Sequence, residues 1–311
     1  MTGPGRLPPG RFLLGGLRPG AVRPAGLQHA SRPPEHRYPT AAVQTVRCPH
    51  CALDLAVTDG SFVCRQGHGF DIARQGYVAL LGPKARTDTG DSSDMVAARA
   101  EFLAAGRYRP IAAAVTRAAL ADGTVLEIGA GTGYYLDAVL RASPGDRAGV
   151  ALDTSKFAVR RTADLSSVLS VLADAWSPLP IRDAAVGVVL SVFAPRDLAE
   201  ICRVLQPGGL LVAVTPDPDH LAELREQVEM LAIDEGKADR LADALAGKLQ
   251  QVGRTEVRFS MDLDRPAMSA LIRMGPSARH LTAAEPATQL ERVPTPSTVT
   301  GAVSVSVFRR D

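Results

Sequence analysis

The chain has 311 residues, 46% of them hydrophobic, and a formal net charge of +2. That length buries one large core beside one small module, and the charge is too small for a polycation that binds nucleic acid by bulk attraction, so any such contact has to come from a local patch. No apolar run approaches the roughly 20 residues of a membrane-spanning helix, and Arg11 to Leu17, cut short by Arg18 and Pro19, is too brief for a signal-peptide core.

Residues 1–43 are crowded with Pro, Gly and Arg and show no period. Such a segment cannot bury enough apolar surface to offset its ordering entropy, and a disordered tail is expected. A translation start near Val43 or Val46 would leave that tail unmade.

Residues 44–82 carry Cys48, Cys51, Cys64 and His68 in a C-x2-C-x12-C-x3-H array. Two ligands from one knuckle and two from a second close a tetrahedron, which suits zinc. Four protein ligands leave no open position, so the metal is expected to be structural, holding together a segment with little core of its own. His50, between the first two cysteines, is a rival to His68. The fourth cysteine, Cys202, lies far off, which is poor material for a disulfide framework and points to a reducing, cytoplasmic setting. Phe70–Ala73 and Tyr77–Leu81 read as short extended pieces, and Arg47, Arg65, Arg74, Lys84 and Arg86 give the module cations for nucleic acid.

Residues 83–121 read as a linker and two helices. Asp91 to Asp94 offer N-cap residues for a helix through Met95, Ala98, Phe102 and Leu103, which Gly106 ends, and Ile111 to Leu120 resumes as another. From 122 to 311, apolar runs of strand length at 124–128, 149–152, 168–172, 186–192 and 210–215 alternate with helical or turn-like stretches. That is the pattern of a doubly wound, mostly parallel sheet. A polar helical region follows over 219–249, and 256–261 and 303–308 read as two late strands.

Gly129, Gly131 and Gly133 follow the first of these strands and lead into a helix, so the backbone can approach a ligand where a Cβ would collide. The spacing is G-x-G-x-G, not the G-x-G-x-x-G of dinucleotide sites. Glu127, Asp153 and Asp174 stand at successive strand ends, which favours a nucleoside without phosphates. S-adenosylmethionine meets that description: Asp153 would accept both ribose hydroxyls and Asp174 the adenine amino group, with Trp176 or its neighbours flanking the ring. Leu205-Gln206-Pro207-Gly208-Gly209 before a later strand strengthens this reading.

These residues resemble the bacterial 23S rRNA guanine-N1 methyltransferases, which include relatives conferring resistance to tylosin-type macrolides. The resemblance covers nearly everything after the tail. It rests on Cys48-Pro49-His50-Cys51 with Cys64 and His68, Gly67 to Ala73, Gly76-Tyr77-Val78, Gly90-Asp91-Ser92, Ala98-Arg99 and Glu127 to Tyr135. It implies a class I methyltransferase with a Rossmann-like, seven-stranded α/β sheet and a small N-terminal zinc domain. It further implies a homodimer that binds a 23S rRNA hairpin, with no DNA and no membrane. Tyr108, Thr132, the glycine loop and His220 would line the S-adenosylmethionine site. Phe193, after the fourth strand, would stack on the target guanine or serve as core. Two departures stand out: Leu271–His280 lacks the aromatic residues common in the family's substrate-side segment, and the N-terminal tail is foreign to the pattern. A methyltransferase for small molecules, and a zinc-dependent RNA-binding protein with an inactive methyltransferase domain, are the rival readings.

Overall fold

A computed structural model describes residues 38–86, 89–194, 197–228, 230, 233–275 and 285–311. The expected tail therefore lies outside the described residues as far as residue 37, and so does 276–280 of the substrate-side segment. Residues 38–43 correct the tail's boundary. Helix α1 (Thr40–Thr45) buries Ala42 and Thr45, the Tyr38 ring meets Phe62 with centroids 5.7 Å apart, and the Tyr38 hydroxyl donates to Gly76 O at 2.9 Å. A few apolar side chains docked on a neighbouring core outweigh the local Pro-rich composition, and a chain started at Val46 would lack this clasp.

Strands β1 (Leu55–Thr58), β2 (Ser61–Cys64) and β3 (Gly69–Asp71) form a small antiparallel sheet, with Leu55 opposite Cys64 and Ser61 opposite Asp71. The two-residue β4 (Val78–Ala79) follows. Helix α2 (Ser93–Ala104) starts where the Ser92 hydroxyl accepts the Met95 N–H at 3.2 Å, a cap worth about 1 kcal/mol. Gly106, at φ +73°, lies just beyond its end. Helix α3 (Arg109–Ala118) has Pro110 in its first turn, where the missing N–H costs nothing.

The larger domain continues as β5 (Val125–Ile128), α4 (Tyr134–Ala142), β6 (Gly149–Asp153), α5 (Lys156–Thr162), β7 (Val168–Leu172), β8 (Val186–Val192), α6 (Leu198–Val204) and β9 (Leu205–Pro216). Two helices, α7 (Ala222–Arg225) and α8 (Lys237–Leu245), precede the long β10 (Gln250–Leu263). Helices α9 (Arg265–Met274) and α10 (Glu285–Leu290) then lead to β11 (Ser297–Arg309). The sheet order is β10-β11-β9-β8-β5-β6-β7-β4, parallel from β9 to β4, with β11 antiparallel to both its neighbours. The seven strands expected of this domain are thus joined by an eighth from the zinc module. β5, β7 and β8 are buried at every position because helices or the zinc module cover both faces.

One face packs α2, α3 and α9 around Phe102, Ile111, Leu136 and Met268. The other holds Cys48, Phe62, Cys64 and Val78 in the same core as Leu126, Leu169, Val171 and Ile181. The zinc module is therefore no separate bead: Val78 pairs with Val171, Ala79 with Leu172, and Val46 bridges to Ile181. No described helix is long and apolar enough to cross a membrane.

Candidate functional site

The four zinc-ligand candidates converge. Their ligand atoms lie within 4.8 Å of one another, with Cys51 Sγ to Cys64 Sγ at 3.6 Å and His68 Nδ1 at 3.4 and 3.5 Å from Cys64 Sγ and Cys48 Sγ. Thiolates about 2.3 Å from a tetrahedral zinc stand about 3.8 Å apart, so this donor set fits the ion and Nδ1 is the histidine's ligand atom. The knuckles turn at Ala52 (φ +60°) and Gly67 (φ +82°). Without metal the thiols share their protons unequally: burial raises Cys48, while at Cys64 burial is outweighed by N–H groups of Gln66 and His68 and by hydrogen bonds from Cys51 and His68, which lower it. His50 lies outside the quartet, stacked on Phe70 at 5.6 Å.

At the strand ends of the large sheet, Gly129, Gly131 and Gly133 all have positive φ (+68°, +55° and +74°). A Cβ on Gly133 would stand 2.5 Å from Leu165 Cδ1, and one on Gly131 3.1 Å from Arg99 Nη1. The loop's backbone thus packs directly against Leu165 and Arg99, which only glycine allows, with the half-buried Thr132 between its last two glycines. Asp153 fixes it: one carboxylate oxygen accepts Gly131 N–H and the other Ser155 N–H, each at 2.8 Å. Burial raises the Asp153 pKa against those two bonds. This arrangement fits S-adenosylmethionine, a ligand without phosphates that needs close backbone approach and a carboxylate for its ribose.

Glu127 sits beneath the loop. It is 1% exposed, and its carboxylate accepts Leu136 N–H from the first turn of α4 at 3.1 Å. Burial, with Asp153 nearby, lifts its pKa from 4.5 to about 8 despite that bond. The sign follows from proton counting. Between pH 4.5 and about 8 the folded chain holds a proton that the unfolded chain has released, so Glu127 lowers stability as pH rises through that window. Glu127→Gln, which keeps an acceptor for Leu136, is expected to gain stability over wild type progressively up to about pH 8. Parallel denaturation curves at pH 5 and 8.5 for the two proteins would contradict it.

Two residues with no role assigned from sequence complete this end. Arg99 of α2 pairs with Asp91, donates to Met274 O at 2.7 Å, and lies against Gly131. Ser155 donates to Asp91 O at 2.6 Å, and the Gly90 segment is so close that a Cβ there would lie 2.8 Å from Ser155 Cα. The resemblance had picked out Asp91 and Arg99, but only tertiary packing brings a segment more than thirty residues upstream over the glycine loop.

Tyr108, Phe193 and His220 form a second group beside the first. Tyr108 Oη is 3.3 Å from His220 Nε2, and the Phe193 ring stands 6.2 Å from that of Tyr108 and 5.9 Å from that of His220. Because His220 Nδ1 accepts Ala302 N–H at 3.1 Å, Nε2 carries the proton and donates to the Tyr108 oxygen. Burial, helped by Arg225, takes the His220 pKa down to about 4, and burial raises that of Tyr108, so both are neutral near pH 7. Phe193 is 41% exposed and has φ +52°, a costly conformation for an aromatic residue. Tyr135 is buried, and burial, with Tyr108 and Glu127 nearby, raises its pKa.

Asp174 follows β7 and is already well supplied with donors. Its carboxylate accepts Trp176 N–H at 2.9 Å, Arg86 N–H at 3.0 Å and the Ser177 hydroxyl at 2.9 Å. Those bonds lower its pKa against the upward push of burial. Asp174 thus ties the linker from the zinc module to the cofactor end of the sheet, while the Trp176 side chain stands 65% exposed.

Comparison with known proteins agrees with both halves. A family model described as "RlmA, N-terminal" matches residues 46–86, and one described as "Methyltransferase domain" matches residues 126–213. A Streptomyces fradiae protein named 23S rRNA (guanine(748)-N(1))-methyltransferase is 42% identical over 274 residues, 86% of this chain and 97% of its own. A relative from Micromonospora griseorubida is 40% identical over 85% of this chain and 97% of its own. Another, from Bacillus subtilis, is 27% identical over 75% and 86%.

Proposed function

The chain belongs to the 23S rRNA (guanine-N1)-methyltransferase family, and from that premise we propose that it methylates N1 of a hairpin-loop guanine in 23S rRNA, the one numbered 748 in the name of the Streptomyces relative. The observation that carries this reading is the 42% identity to that relative over 86% of this chain and 97% of its own, beside the family matches at residues 46–86 and 126–213 that take in the zinc module and the cofactor loop. The homodimer and the cytoplasmic setting implied by the resemblance belong to the same reading.

When bound, S-adenosylmethionine supplies a methyl group on a positively charged sulfur. The chain's residues place it and its acceptor. Gly131 and Gly133 give close backbone approach, and Asp153 presents its carboxylate to the ribose. The Asp91–Arg99 ion pair braces the loop from the side of α2. Guanine N1 lies on the Watson–Crick edge, so the base has to be unpaired or flipped out, and Phe193 offers it a ring face at the end of β8. Tyr108 and His220 stay neutral and wall the aromatic side of the site. In this arrangement the His220 Nε2 proton is shared with the Tyr108 oxygen, which holds the two rings together at the wall of the site. Holding both reactants in register supplies most of the acceleration, since orientation alone is worth about 7–11 kcal/mol.

Methylation of undermodified 23S rRNA with labelled S-adenosylmethionine, followed by primer extension, tests the reading. The expected result is one strong stop at the hairpin-loop guanine, because an N1-methyl blocks pairing. Absence of both stop and label, with zinc and cofactor shown to be bound, would move the substrate elsewhere.

A further inference from the structure

The turn after β7 carries a feature that cofactor binding leaves unexplained. Trp176, the sole tryptophan of the chain, is 65% exposed, whereas the flanking Ala175 and the Asp174 beneath are buried. The backbone under it is fixed: Asp174 accepts the Trp176 and Arg86 N–H groups through its two oxygens, and Ala173 N–H donates to Asp153 O at 3.0 Å. One carboxylate therefore holds the backbone of an exposed tryptophan and that of an exposed arginine, where the linker from the zinc module meets the cofactor end of the sheet.

The strand ends form a rim. Phe193 ends β8, the glycine loop ends β5, Asp153 ends β6 and Trp176 follows β7, with the linker carrying Lys84 and Arg86 beyond it. At about 4.8 Å per strand, β7 lies roughly 14 Å from β8. Two exposed aromatic rings thus flank the cofactor cradle on one rim, and cations stand at the zinc-module end. An aromatic face beside cations is what a single-stranded nucleic acid uses, bases on the rings and phosphates on the charges. Asp174, with three donors on its carboxylate, has only part of its accepting capacity left for an adenine amino group, which weakens the case for Trp176 as the wall of an adenine slot.

We propose that Trp176, with Arg86, is an RNA contact: its indole stacks on an unpaired loop base other than the methylated guanine, while Arg86 neutralises a neighbouring phosphate. The inference rests on the RNA substrate proposed above and adds the site where a second nucleotide is held.

With one tryptophan, intrinsic fluorescence reads this position alone. The zinc-loaded full chain is titrated with an in vitro transcript of the 23S rRNA hairpin and, separately, with S-adenosylhomocysteine. The hairpin is expected to quench emission saturably and S-adenosylhomocysteine to leave it unchanged. Trp176→Leu should weaken hairpin binding about tenfold to a hundredfold, the loss expected of one stacked base, and should keep its S-adenosylhomocysteine affinity. Trp176→Phe should recover most of the loss. Quenching by S-adenosylhomocysteine alone, with weaker cofactor binding in Trp176→Leu, would make the indole an adenine wall and overturn the inference. So would hairpin binding that is tight, unquenched and indifferent to the substitution. If the wild-type chain does not bind the hairpin at all, the RNA substrate fails first and the contact fails with it.

Discussion

Cys64→Ala is expected to release zinc and to lower the thermal transition of the whole chain, with lost hydrogen-exchange protection reaching beyond the knuckles into β4 and β7. Structural zinc is worth apparently about 10–16 kcal/mol in small modules, comparable with or larger than the 5–15 kcal/mol that stabilises a typical domain. The three-stranded sheet around Phe62 has no other source of that size. Its loss cannot stop at the module's border, because Cys48, Phe62 and Cys64 lie in one core with Leu169, Val171 and Ile181, and because β4 is hydrogen-bonded to β7. Removing the metal exposes one side of that core and frees the strand that seals the sheet edge. β10, at the far edge of the sheet, places Met261 and Leu263 in the opposite core and should keep its protection, whereas β9 and β11 share the exposed core through Leu211, Ala213 and Phe308. Metal analysis, a thermal melt and exchange measured by peptide separate the cases: protection lost only within residues 46–72 would show a module that unfolds independently.

The second large effect is on the cofactor. Asp153→Ala is expected to weaken S-adenosylhomocysteine binding by about a hundredfold or more while leaving the fold intact. The substitution leaves the Gly131 and Ser155 N–H groups unpartnered and removes the acceptor offered to the ribose. Hydrogen bonds to a charged group contribute about 1.5–3 kcal/mol each, and two of them reach a factor of about 100. Asp153→Asn keeps one acceptor oxygen and should lose only about tenfold. Calorimetric titration of the three proteins reads the order. Equal affinities for Asp153→Ala and wild type would mean that the cradle is held by Arg99 and Asp91 without it.

The features legible in the sequence are those with local cause. The cysteine spacing specifies knuckles, and the knuckles close as expected. Strands buried on both faces read as unbroken apolar runs, so β5 to β9 were found, and the glycine loop was placed because its conformation depends on its own residues. Features that depend on assembly carry no such local signal. Glu127 reads as a strand-end acid, and nothing near it in the sequence announces that its carboxyl also accepts Leu136 N–H of α4. Asp174 has the position of an adenine acceptor, yet the linker supplies Arg86 N–H to the same carboxylate, and no sequence pattern announces a hydrogen bond across 88 residues. The extended piece expected at Tyr77–Leu81 contains β4, but nothing local announces that it pairs in parallel with β7. Helix α1 hides in Pro-rich sequence because its six residues are held by the burial of Ala42 and Thr45 and by Tyr38 just before them, which is anchored on Phe62 and Gly76, not by propensity.

The register of β4 on β7 also sets a distance. Since Val78 faces Val171 and Ala79 faces Leu172, the knuckles stand at one fixed height above the strand ends where methyl transfer would occur. A shift of two residues in that pairing would move the module about 6.6 Å along the strand, on the order of one nucleotide step. The ladder between these two short strands is therefore the ruler that sets how far the zinc module stands from the cofactor end of the sheet.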